Sequence, residues 1–309
     1  MLRYIVRRVL FLIPVLLGVA FCVFTLLYLT PGDPARMVLG DLATEDAVQE
    51  FRNREGLNDP FLVQFGNYVW KAVTKGDIGR SYITKRSVAQ EVLAAFPATL
   101  KLSALAMLIA ILVGLPCGIL SAIKQYSLFD TVTMIFAMIG LSMPVFWLGL
   151  LLILLFSVHL RWLPSSGFGT FKAMILPAVS LSAQAISMVT RMTRSSMLEV
   201  IRADYIRTAR AKGQKESVVI WVHALHNALI PVVTLCGLQF GHLLAGAILT
   251  ESIFAIPGIG RLMVTSIMQR NYPVVQGGVL FIAIAFSIVN LLVDLVYAYI
   301  DPRIKAQYK

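Results

Sequence analysis

The sequence predicts an all-α membrane protein with six transmembrane helices and a helical insertion after the first of them. Two observations carry that prediction. Of 309 residues, 58% are hydrophobic and only 14% charged, with a mean hydropathy of +0.79, whereas soluble domains run nearer half apolar and a quarter charged. Six uninterrupted apolar stretches lie at about 9–29, 102–123, 131–158, 174–192, 228–250 and 275–300, each long enough to cross ~30 Å of hydrocarbon as a helix. The chain divides into 1–30 (cytoplasmic N-terminus and first span), 31–98 (extracytoplasmic helical insertion) and 99–309 (a five-helix core with a cytoplasmic segment at 193–227).

The first span follows Arg3, Arg7 and Arg8 with no acid among them, which holds that end in the cytoplasm. Its apolar run is longer than the core of a cleavable signal and no small-residue cleavage site follows, so it is expected to stay as a helix. Six crossings return the C-terminus to the same side. Most of the net charge of +11 then falls on the cytoplasmic pieces. That excess reflects orientation in the membrane and not affinity for nucleic acid.

In the insertion, Glu45 and Asp46 mark a first helical turn and Gly56 a stop, Pro60 a second start, and Lys75 and Gly76 its end. Leu62, Phe65, Val69 and Val73 recur at helical spacing, predicting one apolar face. Ser87 with Gln90 reads as a capping box for a third short helix before Pro97. The insertion is expected to be a lid on the mouth of the bundle, or part of a docking surface for an external partner. Further along, Pro144 in the third span and Pro231 in the fifth predict kinks. Cys22, Cys117 and Cys236 all lie inside apolar runs and are expected to pack as small hydrophobes.

Residues 193–227 are too periodic for a linker. Leu198, Ile201, Tyr205 and Ala209 follow helical spacing, Gly213 breaks the run, and a second pattern begins near Glu216 and feeds into the fifth span. Arg202, Arg207, Arg210, Lys212 and Lys215 surround the turn. A basic amphipathic helix of this kind suits a groove on a soluble partner or a layer of anionic headgroups.

The run Ala203-Asp204-Tyr205-Ile206-Arg207-Thr208-Ala209-Arg210-Ala211-Lys212-Gly213 resembles the coupling loop of binding-protein-dependent ABC importer permeases, in the version found in the dipeptide, oligopeptide and nickel class. Arg207-Thr208-Ala209 stands where the general pattern has Glu-Ala-Ala, and Gly213 at its glycine, so that glutamate is absent. Four further runs are similar to that class: Pro31-Gly32-Asp33-Pro34, Gly76-Asp77-Ile78-Gly79-Arg80-Ser81-Tyr82, Asn227-Ala228-Leu229-Ile230-Pro231, and Glu251 through Gly260. So is the ending Asn290-Leu291-Leu292-Val293-Asp294-Leu295 with Asp301-Pro302-Arg303.

The resemblance implies a type I importer permease in the bacterial inner membrane, with both termini cytoplasmic. It also implies a second homologous permease, two cytoplasmic ATP-binding subunits carrying ATP and Mg, and an extracytoplasmic solute-binding protein. The cargo implied is a dipeptide or oligopeptide, with glutathione, nickel complexes or another small solute as alternatives. On this reading the coupling helix sits in an ATPase groove through Tyr205, Ile206 and Ala209. Arg207, Arg210 and Lys212 meet its acidic rim, and Arg194 and Arg202 add to the grip. The chain has no Gly-x4-Gly-Lys-Ser/Thr cradle, so any ATP chemistry is expected in partners and no cofactor in this chain.

Other polar positions have two readings each. Asp294 lies near the cytoplasmic end of its span, where a structural contact and a proton or ion relay are both open. His223 and His226 have metal-pair spacing, but no further ligand completes a set, and no metal site or catalytic residue is expected. The pairs Gly237/Gly241 and Gly114/Gly118 read as close helix packing, with the permease heterodimer as one place for it. Ser142, Pro144, Thr234, Gln239 and His242 are the candidates for the translocation path. An ion-coupled secondary transporter is the competing class; it needs coupling charges near the midplane and an internal repeat between the halves, which is not seen.

Overall fold

The computed structural model describes residues 2–40 and 42–300. The Asp294 side chain and the Asp301-Pro302-Arg303 ending lie outside the described residues. Among the described residues, five continuous helices are long and apolar enough to cross a membrane: α1 (Leu2–Leu29), α5 (Val88–Ile123), α8 (Phe171–Ile201), α11 (Leu225–Gly246) and α14 (Tyr272–Ile300). The third expected span is broken into α6 (Leu128–Ser142) and α7 (Val145–Leu152), the latter continuing in π-helical turns over Ile153–His159, with a bend of 105° between the two halves. Pro144 is the cause. It lacks an N–H, and it holds Met143 in an extended conformation (ψ 124°), so α6 ends and a new helix starts. The expected kink is thus a complete break.

The centre of the bundle is the pair α5 and α8. Glycine sets their distance: a Cβ on Gly118 would stand 2.6 Å from the Thr190 carbonyl oxygen, and one on Gly114 3.0 Å from that of Ile186. Gly237 and Gly241 bring α11 against Val293 and Phe286 of α14 in the same way. Both glycine pairs therefore serve packing within this chain. Around them Leu102, Ala106, Ala110, Leu181, Ala185, Val189 and Val232 form the main core. Cys22 does not join a core; it is exposed on α1, whose spanning surface is almost entirely open.

The insertion comprises α2 (Pro34–Leu39), α3 (Glu45–Glu55) and α4 (Phe61–Lys75). Thr44 caps α3, and Gly56 ends it at φ 70°; Gly76 ends α4 at φ 61°. The third short helix is not there. Ser87 stands at the N-terminus of α5 without a side-chain cap, and the helix runs unbroken through Pro97 and across residues 98 and 99. At ~1.5 Å per residue its 36 residues reach about 54 Å. That exceeds the hydrocarbon thickness of ~30 Å, so α5 extends beyond a single crossing, and its N-terminal turns pack against Ile259, Met263 and Val274 of the C-terminal part of the chain.

The face expected on α4 also divides. Phe65 turns toward α1, while Leu62 and Val73 point outward.

Beyond α11, the short helices α12 (Ile248–Ile253) and α13 (Ile259–Met268) lead into α14. Phe254 between them is buried against Gly149 of α7.

Candidate coupling site and its anchoring network

The segment expected to be one helix from Leu198 to Ala209 is two. α8 ends at Ile201, Arg202 and Ala203 turn the chain, and α9 (Asp204–Ala211) follows. Gly213 then takes φ 75°, a conformation that strains any side chain, and its N–H closes on the Arg210 carbonyl at 2.9 Å. The chain re-enters the bundle through α10 (Glu216–Val218), π-helical turns over Val219–Ala224, and α11.

Ile206 occupies an unexpected place. It is 0% exposed, packed in a cluster with Ile119 and Ala122 of α5, Met197 of α8, and Val219, Ile220, Ala224 and Ala228. Ala209 lines the same cluster. These two side chains pack on the protein's own helices and hold α9 to them. Burying an isoleucine contributes about 1.5–3 kcal/mol, enough to make α9 move with the helix ends beneath it. Tyr205 remains half exposed, its hydroxyl accepting from Asn227 Nδ2 at 2.8 Å.

The outward face carries the charge. Arg210 makes a bidentate pair with Glu216 (3.0 and 2.7 Å) that staples α9 to α10. Arg207 has only the exposed Asp204 at 3.5 Å, and Thr208, Ala211, Lys212 and Gly213 are open beside it. Arg202 donates to Gln125 Oε1 at 3.2 Å, and His223 Nε2 lies 2.6 Å from Gln214 Oε1.

Arg194 is not part of that surface. Its guanidinium grips Asp130 through both oxygens at 2.7 Å, and Asp130 accepts further from Ser121 Oγ (2.5 Å) and the Tyr126 N–H (3.0 Å). This clamp joins α5, α6 and α8 just under the coupling helix. Sequence reading missed it. The signal was the run Ser127 to Asp130, in which Ser127 Oγ accepts from the Asp130 N–H as a cap at the start of α6.

At the insertion end, four further contacts account for the motifs found there. Glu251, fully buried, accepts from Thr99 Oγ1 of α5 at 2.5 Å and from the Arg261 N–H at 3.0 Å, while Thr99 accepts from the Ile259 N–H at 2.9 Å. Both side chains thereby cap α13, and Gly258 and Gly260 leave room for the carboxylate. Asn271 accepts from the Tyr82 N–H (2.9 Å) and donates to Ser81 Oγ (2.8 Å). Arg270 donates to the Pro31 carbonyl across a space that only Gly32 leaves free. Asp33 caps α2 and pairs with Arg52 at 2.8 Å. Burial pushes its carboxyl up, but the hydrogen bonds from Arg52 and from the Ala35 N–H outweigh this and hold it below the ordinary carboxylate value.

The path candidates lie on different elements. Ser142 and Pro144 are exposed at the α6–α7 break, which packs on α8, whereas α11 packs on α5, α8 and α14. On α11, Thr234 bonds its own helix at Ile230, Gln239 is half buried, and His242 is exposed with its ring edge-on to Phe286.

A bundle of apolar helices with one charged helix keyed onto its helix ends, and an insertion clasped to the opposite ends, has the architecture of a multi-pass membrane protein. Residues 114–306 match the family described as "Binding-protein-dependent transport system inner membrane component", and residues 1–103 match the model for the N-terminal part of such membrane components. The chain therefore belongs to the binding-protein-dependent transport system inner membrane component family. It is 45% identical to the dipeptide transport system permease protein of Alkalihalophilus pseudofirmus, over 99% of this chain and all of that one. It is also 45% identical to the glutathione transport system permease protein of Salmonella choleraesuis, over 99% of both. Among solved structures, an inward-facing form of the MetNI methionine ABC transporter matches 69% of this chain and 97% of its own, with a TM-score of 0.60 at 20% identity, a likeness of fold.

Proposed function

We propose that this chain is the membrane-spanning subunit of an ATP-driven importer of small peptides, forming half of the translocation path with a second homologous permease. Two ATP-binding subunits, which would carry ATP and Mg, engage residues 203–213 on the cytoplasmic side. An extracytoplasmic solute-binding protein delivers cargo at the end bearing residues 31–98. Both termini are then cytoplasmic. Support for the cargo comes from the substrates for which the relatives are named, dipeptides in one and glutathione in the other; both are short peptides. Ser142, Pro144, Thr234, Gln239 and His242 are the positions proposed to line the path, with His242 offering an exposed imidazole on α11.

The observation that carries the mechanism is the division of α9. Its inner face, Ile206 and Ala209, is sunk among the ends of α5, α8 and α11, and its outer face offers Arg207, Thr208, Ala211 and Lys212. A partner that moves the outer face must move the helix ends with it. ATPase closure would favour one arrangement of the bundle and hydrolysis release it, an equilibrium biased by differential binding.

The test uses the whole complex. Arg207→Glu with Lys212→Glu is expected to abolish co-purification of the ATP-binding subunits and uptake of a labelled dipeptide, while the permease still reaches the membrane. Ile206→Ala is expected to keep co-purification and lose uptake. Retention of both properties in both variants would overturn the coupling role. The ligand that raises the melting temperature of the cognate binding protein separates dipeptide from glutathione.

A further inference from the structure

The helix α4 is apolar around most of its circumference, and only part of that surface meets protein. With residues advancing about 100° each, Phe61, Phe65, Tyr68 and Ala72 occupy one face. The rings of Phe61, Phe65 and Tyr68 pack on Phe21, Phe24 and Tyr28 of α1, with centroids 5.1–6.4 Å apart. A second face, Gln64, Asn67, Lys71, Thr74 and Lys75, is polar. The third carries Leu62, Val63, Gly66, Val69, Trp70 and Val73; Leu62 is 72% exposed, Trp70 68% and Val73 77%.

We infer that α4 is embedded in the bilayer, in the leaflet on the insertion side, with Leu62, Val63, Trp70 and Val73 against acyl chains and Lys71 and Lys75 at headgroup level. The depth follows from its partners on α1. Phe24 and Phe21 stand five and eight residues before the end of that helix at Leu29, or about 7.5 and 12 Å down its axis, inside a half-bilayer of ~15 Å of hydrocarbon. Any helix in ring contact with both lies alongside a membrane span. The open face of α4 also continues the lipid-facing surface of α1, where Leu17, Phe21, Leu26 and Leu29 are exposed. An interfacial helix requires this composition: a broad apolar arc, a narrow polar strip with lysines, and an aromatic at the boundary. α4 therefore anchors the insertion to the bilayer, and the remaining insertion helices hang from it and from the clasps at Arg270 and Asn271.

The experiment places a nitroxide at Leu62→Cys, Val73→Cys or Asn67→Cys in the full chain with Cys22, Cys117 and Cys236 changed to serine, reconstituted in phosphatidylethanolamine/phosphatidylglycerol nanodiscs. Collision with oxygen, which concentrates in lipid, is compared with collision with a water-soluble nickel chelate. Oxygen is expected to exceed the chelate severalfold at 62 and 73, and the order to reverse at 67. A chelate excess at 62 and 73 would place that face in water; low collision with both reagents would place it under protein. Either result overturns the anchor. A second readout needs no label: with Trp147, Trp162 and Trp221 changed to Phe, Trp70 emission is expected to be quenched by acyl-brominated lipid and spared by iodide. Quenching by iodide alone overturns it equally.

Discussion

Asp130 and Arg194 meet as a nearly buried carboxylate and a partly buried guanidinium, with Ser121 and the Tyr126 N–H filling the remaining acceptor positions. Removing one member of such a pair strands the other, which costs about 3–5 kcal/mol when fully buried; with Arg194 22% exposed in its side chain, Asp130→Ala is expected to cost about 2–3 kcal/mol, read as a lowered melting temperature of the detergent-solubilised permease. Thr99 serves as acceptor and donor at once. Thr99→Val leaves both the Ile259 N–H and one Glu251 oxygen without a partner, a loss of about 1–3 kcal/mol. The cost of combining it with Glu251→Gln is expected to fall short of the sum, since both act on one network. Asp33 gives a pH dependence. Its carboxyl is held below the ordinary 3.8, so its contribution is complete above that value and is lost as pH falls through the depressed one. Corrected for the intrinsic exchange rate, the protection of amides in α2 and α3 should fall only as pH drops below about 3.8 in the native chain, and that step should vanish in Asp33→Asn.

The elements differ in how far they were legible. α3 and α4 begin and end where Thr44, Gly56, Pro60 and Gly76 place them, because caps and left-handed glycines are local chemistry. Pro97 misled, since proline normally ends a helix. Here the carbonyl it deprives of a partner is that of Leu93, on the exposed side of α5, where water can satisfy it. The amphipathic pattern of the coupling helix was legible, but not the surface its apolar residues meet. That depends on Ile119 and Met197, far away in sequence, as the fate of Arg194 depends on Asp130. Ile206→Ala is expected to cost about 2–5 kcal/mol of local stability. It should appear as faster amide exchange across Asp204–Ala211 with little change in α8.

The whole molecule is organised by the contact of α5 with α8, and its tightest point is Gly118. Gly118→Val would drive a side chain into the Thr190 backbone, which cannot retreat without parting the two central helices; a sharp fall in membrane-inserted, detergent-stable protein is expected, where Gly18→Val, with open space around it, should be silent. The unbroken α5 has one more consequence. Its first turns, at Val88 and Val92, are sealed among Ile259, Met263 and Val274, while its last, at Ile119 and Ala122, hold the coupling helix. With the two glycines as fulcrum, the arm back to Val88 is about 39 Å long at ~1.5 Å per residue, so a 5° pivot driven from the short arm at the coupling helix would carry the far end about 3.4 Å, and the rod would act as a lever across the membrane.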